Sequence, residues 1–223
     1  SICLNCKSSL GFSLDDMALL VIAPHPDDEA IGCGGTLAGH VASGDRVKVI
    51  FLTSGERGIK PFDAAANGRR REREAENAAR ILGVQAIDFW RQPDSRLRVT
   101  PGLVARLGAD LGRSQPEIVY TTHPHEVHPD HRAAARLVRT TLEAATGRSS
   151  RALYFEVWTP LQQLDLLVDI TQQLPTKLRS IRAHRSQCDL VAFDHAAKGL
   201  ARYRGELHSW PGGPYAEAFR RWE

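Results

Sequence analysis

Two short stretches hold side chains that could do chemistry together: Pro24-His25-Pro26-Asp27-Asp28-Glu29 and His128-Pro129-Asp130-His131, about a hundred residues apart. In the first, one imidazole and three carboxylates crowd each other. Such groups repel unless a cation or a proton offsets the charge, and a metal ion is the natural offset. Two neutral imidazoles and a carboxylate make a three-ligand site with open positions, the usual arrangement of catalytic zinc. Zinc held this way lowers the pKa of a water to about 7. A neighbouring carboxylate can take that water's proton, and a further imidazole can hold an oxyanion or protonate a leaving amine. His25, Asp28 and His131 are the candidate ligands. Asp27 or Glu29 is the candidate base and His128 the candidate acid.

The elements that must position these residues come next. An apolar run over 18–23 reads as a buried strand leading into the first stretch, and 117–121 reads as another leading toward the second. At the carboxyl ends of parallel strands, ligands bind along one rim, so the two stretches can meet. Pro129 suits the first position of a helix, which makes His128 the expected N-cap and puts His131 one turn in, on the same side. Further strands are expected over 46–53, 86–90 and 152–158, with a short one over 166–170. Helices are expected over 32–42, 69–82, 101–111, 129–145, 176–187 and 194–203, with a loop at 59–68. This alternation predicts an α/β, Rossmann-like fold: a mostly parallel β-sheet flanked by helices. Gly32, Gly34 and Gly35 do not form a dinucleotide loop and point to close packing.

The 223 residues suit a single α/β domain. A net charge of +3 without a basic, aromatic-bearing stripe argues against nucleic-acid binding. The run 69–74 is mixed in sign and reads as a helix surface. No apolar stretch is long enough to cross a membrane and no secretory signal is seen, so a cytoplasmic protein with no membrane insertion is expected. The start at Ser1 leads us to expect a processed or trimmed chain. Four cysteines do not make a disulfide framework. Cys3 and Cys6 form a CxxC in an N-terminal tail, 1–12, ahead of a domain spanning 13–223. A homo-oligomer is compatible with all of this.

The motif Ala23-Pro24-His25-Pro26-Asp27-Asp28-Glu29 with His128-Pro129-Asp130-His131 resembles the zinc-dependent de-N-acetylases of the LmbE-like, or PIG-L, superfamily. Thr53-Ser54-Gly55-Glu56, the helix through Arg71-Glu72-Arg73-Glu74, Ala183-His184-Arg185-Ser186-Gln187 and Tyr215-Ala216-Glu217-Ala218-Phe219 extend the likeness over most of the chain. It implies hydrolysis of an N-acetyl or other N-acyl group on a small amino-sugar substrate. It implies zinc, with Fe2+ as the alternative ion, on His25, Asp28 and His131. Asp27 becomes the general base, with Glu29 turned to structural work. His128 becomes the acid or oxyanion stabiliser, oriented by Asp130. Glu56, Arg71 and Asp94 would reach polar groups of the substrate. His125 has no such role. Two rivals stand beside this reading: a non-haem Fe(II) enzyme on the same ligands, and a non-catalytic sugar-binding module that keeps the pocket.

Overall fold

Strands β1 (Ala18–Ala23), β2 (Arg46–Thr53) and β4 (Ile118–Thr122) are apolar runs that bury both of their faces, which is the signature of a central parallel sheet. The computed structural model describes residues 17–58, 60, 63–145, 150–207 and 211–222. Cys3, Cys6 and the expected boundary at residue 12 lie outside these. The sheet has seven strands in the order β3-β2-β1-β4-β5-β7-β6, adding β3 (Ala86–Gln92), β5 (Arg151–Phe155), β6 (Leu166–Asp169) and β7 (Ala216–Arg221). Strands β1 to β5 pair in parallel, and β7 pairs antiparallel with both β5 and β6. The expected mostly parallel α/β sheet is therefore present.

Side chains alternate between two cores. Val21, Val49, Phe51, Tyr120 and Phe155 face α1 (Asp28–Ala42), α2 (Ala64–Leu82), α5 (Leu174–Ala183) and α7 (Phe193–Leu207). Ile22, Ile50, Leu52 and Val119 face α3 (Pro101–Ser114) and α4 (Pro129–Ala144). The short α6 (Arg185–Cys188) follows α5 after a break at His184. Among the described residues no helix is long and apolar enough to cross a membrane.

Helix starts follow local chemistry. Asp63 caps α2 by accepting from the Ala66 amide, and Thr100 caps α3 by accepting from the Leu103 amide, with Pro101 next. Three expectations are corrected. First, α1 begins at Asp28, four residues before the expected Gly32, because its glycines are contact points. A Cβ on Gly32 would lie 2.1 Å from the Phe155 ring, and one on Gly35 would lie 2.7 Å from Ile170. Second, α2 begins at Ala64, so part of the expected 59–68 loop is helix. Third, β7 lies in a segment with no expected strand. Its Ala, Glu and Arg residues have weak strand propensity, and its place between β5 and β6 supplies the pairing that propensity does not.

Candidate metal centre

β1 and β4 are neighbours whose connections run in opposite directions across the sheet, the position where such folds form a crevice. The loop after β1 carries His25, and the start of α4 carries His128 and His131. Pro24 anchors the first loop: its carbonyl accepts from both the amide and the hydroxyl of Thr53, each at 3.0 Å. As expected, His128 is the N-cap of α4; its Nδ1 accepts from the Asp130 amide at 3.2 Å.

Three buried side-chain atoms then converge. His25 Nδ1 lies 3.2 Å from Asp28 Oδ2, His131 Nε2 lies 3.2 Å from the same oxygen, and the two nitrogens are 3.3 Å apart. Ligands about 2.0–2.1 Å from a tetrahedral ion sit roughly 3.3 Å from each other, so this triangle has the dimensions of one face of such a site. His128 stands over it, its ring edge-on to His25 at 4.8 Å between centroids. The nitrogens of His25, His128 and His131 form a group able to hold a metal ion.

The outer nitrogens are supported as metal-binding imidazoles usually are. His25 Nε2 lies 3.1 Å from Asp130 Oδ2 and 3.3 Å from Asp94 Oδ1. In a ligating form the ring's proton would sit on Nε2, shared with those carboxylates, and Nδ1 would offer its lone pair to the triangle. Burial pushes His25 down, but Asp130, Asp28 and Asp94 outweigh it and hold the imidazole well above its ordinary pKa. Burial likewise opposes ionisation of Asp28, yet His131 and His25 outweigh it and keep that carboxyl well below the usual range. His131 Nδ1 is buried without a hydrogen-bond partner, and the Glu126 carboxylate lies 3.8 Å away.

Asp27 sits beside the triangle in a backbone conformation rare for any residue with a side chain, φ 119° and ψ −29°. Glu29 Oε2 accepts its amide at 3.1 Å, and the Ile31 amide donates to its carbonyl at 2.9 Å. Arg71 donates to Asp27 Oδ2 at 3.0 Å and also to the carbonyls of Pro26 and Gly55. Burial raises the Asp27 carboxyl to about 6, with Arg71 pulling the other way. His128 is half-buried, and desolvation with the nearby His25 and His131 holds its pKa low, so the neutral ring prevails. His25, Asp27, Asp28, Arg71 and His128 wall a cavity of about 220 Å³ together with Arg57, Ser95, Trp158 and Phe193.

The expected site residues therefore gather in one place, with different partners for some. Arg71 is buried and points at Asp27 and two carbonyls instead of outward. Glu56 does not wall the cavity; its carboxylate accepts the Asp94 amide at 2.9 Å. Asp94 does wall it, yet its oxygens serve the Arg57 amide and His25. Asp130 serves both histidines: its backbone amide donates to His128 Nδ1, while its carboxylate takes His25 Nε2 and the amides of Ser95 and Leu97. Glu29 is buried and spends one carboxylate oxygen on the Asp27 backbone. Glu126 was not anticipated. It is buried and accepts the amides of Val157, Trp158 and Thr159, which ends β5 at Phe155 instead of residue 158. Its only signal in the sequence is an acid inside the histidine-rich loop.

Comparison with known proteins follows the same lines. Residues 20–142, more than half of the chain, match the model of the PIG-L family, whose description is GlcNAc-PI de-N-acetylase. The chain is 29% identical to a diacetylchitobiose deacetylase of Thermococcus kodakarensis over 92% of its own length and 83% of the relative's. The conserved protein TT1542 from Thermus thermophilus superposes with a TM-score of 0.81 at 32% identity, covering 92% of this chain and 94% of that one. GalB, the 4-carboxy-2-hydroxymuconate hydratase of Pseudomonas putida, superposes equally well, TM-score 0.81 at 25% identity, covering 92% and 95%.

Proposed function

The chain belongs to the PIG-L family, and from that premise we propose that it hydrolyses the N-acetyl, or another N-acyl, group of a small amino-sugar compound with a zinc ion held by His25, Asp28 and His131. The observation that carries this reading is the buried triangle of ligand atoms at 3.2–3.3 Å beside the Asp27 carboxylate, which Arg71 holds. Bound there, zinc supplies Lewis acidity and lowers the pKa of a water.

The chain's own residues do the rest. Asp27 accepts the proton of the attacking water; Arg71 holds that carboxylate in place, and the strained backbone aims it. His128 Nδ1 is occupied by the Asp130 amide, so the proton of the neutral ring is on Nε2. His128 lines the cavity, and we assign that N–H to steadying the carbonyl oxygen as negative charge develops there. The amide C–N bond breaks, water oxygen joins the acyl carbon, and a proton passes to the departing amine. Asp94 and Asp130 keep His25 in its ligating tautomer.

The test is release of free amine from N-acetylglucosamine derivatives, read with ion content. Asp27→Asn keeps the ion and loses about 10²–10⁴-fold in kcat. His131→Ala loses the ion itself. Equal ion content in both variants would refute these assignments. The likeness to a hydratase supports a second reading, in which the same centre adds water across a C=C bond. That reaction frees no amine, so the same assay separates the two.

A further inference from the structure

A second hollow of about 220 Å³ adjoins the metal cavity, and the two share Trp158 and Phe193. The rings of this pair meet edge to face at 5.4 Å, and with Trp158 half exposed they stand at the rim where the two hollows adjoin. Behind them the hollow runs between the first turns of α1 and α7. Ile31, Val157, Val191, Ala196, Ala197 and Leu200 make its sides. Three charged side chains touch it, and all three are already paired. Glu217 holds Lys177 and accepts the amides of Gly35 and Thr36. Glu156 holds Arg204 through two hydrogen bonds and accepts the Leu161 amide. The hollow thus offers a ligand apolar surface and no uncommitted charge.

The two substituents of a scissile amide differ in polarity, and so do the walls around this centre. Arg57, Asp94 and Ser95 are polar, as the hydroxyls of a sugar require. Trp158 and Phe193 are apolar and lead onward into the hollow, whose Ile31 lies one helical turn from Asp27 and Asp28. A methyl group needs none of that space. Resting on the deacylase reading above, we infer that the hollow takes the acyl arm of the substrate, and that the preferred substrate carries an unbranched N-acyl chain of several methylenes. Hydrolysis then yields the corresponding fatty carboxylate and the free amino sugar, water giving its oxygen to the first and a proton to the second.

The experiment compares N-acetyl-, N-butyryl- and N-hexanoyl-glucosamine on the metal-loaded protein, reading released amine. Each methylene buried on the way to the transition state raises kcat/KM by roughly fourfold, so the expected order is hexanoyl, butyryl, acetyl. Ala197→Phe fills the hollow, and Ala196→Phe blocks it from the exposed side of α7 with little demand on folding. Both are expected to bring the hexanoyl value down to the acetyl value and to leave the acetyl value unchanged. A profile that is flat or falls beyond acetyl overturns the inference while the deacylase reading stands. So does a rising profile that both variants leave intact. Failure to release amine from all three compounds overturns the deacylase reading itself.

Discussion

Asp27 is where a single side chain carries the largest consequence. Burial raises its carboxyl to about 6 and Arg71 lowers it. A base must be ionised to act, so kcat/KM falls as pH drops through the pKa of this group. A cation beside it, like Arg71, moves that acid limb downward. Arg71→Met removes the guanidinium at 3.0 Å and is expected to shift the limb to higher pH, with a loss of kcat larger than any change in KM. Arg71→Lys restores part of both. A pH profile that does not move in Arg71→Met would place Arg71 outside the control of Asp27. The candidate ligands were legible in the sequence because their chemistry resides in residue type and spacing, which left the base open between Asp27 and Glu29 until the family resemblance chose Asp27. The inward turn of Arg71, the service of the Asp130 carboxylate to His25 beside the expected link to His128, and the role of Glu126 were not legible. Each depends on a partner brought near only by tertiary folding, and a charged residue in a helix or loop reads as solvated until that partner is known.

At the scale of elements, the first turn of α1 must be fixed for Asp27 and Asp28 to hold their places. Glu217 of β7 does much of this from the far side of the helix. It accepts the amides of Gly35 at 2.9 Å and Thr36 at 2.7 Å, while Lys177 bridges Glu217 to the Ile31 carbonyl. Removing one member of a buried pair strands the other charge. Glu217→Ala is therefore expected to cost about 3–5 kcal/mol in urea unfolding, and the double change Lys177→Met, Glu217→Gln to cost clearly less. Equal losses in both would show that the pair itself is not what holds α1. Most helices and strands were readable from their periodicity and caps. The early start of α1 was hidden by glycines, which lower helix propensity yet are required here by the approach of Phe155 and Ile170. β7 was hidden because its pairing, not its composition, makes it a strand.

For the whole molecule, the ligand triangle links ion binding to stability. An ion held as proposed would bind only the folded chain, since His25 and His131 come from segments the unfolded chain does not bring together. At a free ion concentration a hundredfold above Kd, the gain is about 2.7 kcal/mol, roughly 5–11 °C in Tm for a chain of this size. Adding a chelator is expected to remove that increment from the wild type and nothing from His131→Ala. A chelator effect of the same size in both would locate the ion elsewhere. The strand order carries one more consequence. β7 leaves the ribosome after β6 but must slide in between β5 and β6. All three candidate ion ligands precede residue 132, yet Glu217, which helps to fix the start of α1 and with it Asp28, arrives only with β7, the strand that β6 pairs with. Synthesis would then yield, for a time, a body whose candidate ligands are all made but not yet locked in place while one margin of the sheet is still unzipped, and a pause before residue 216 would prolong its exposure to aggregation.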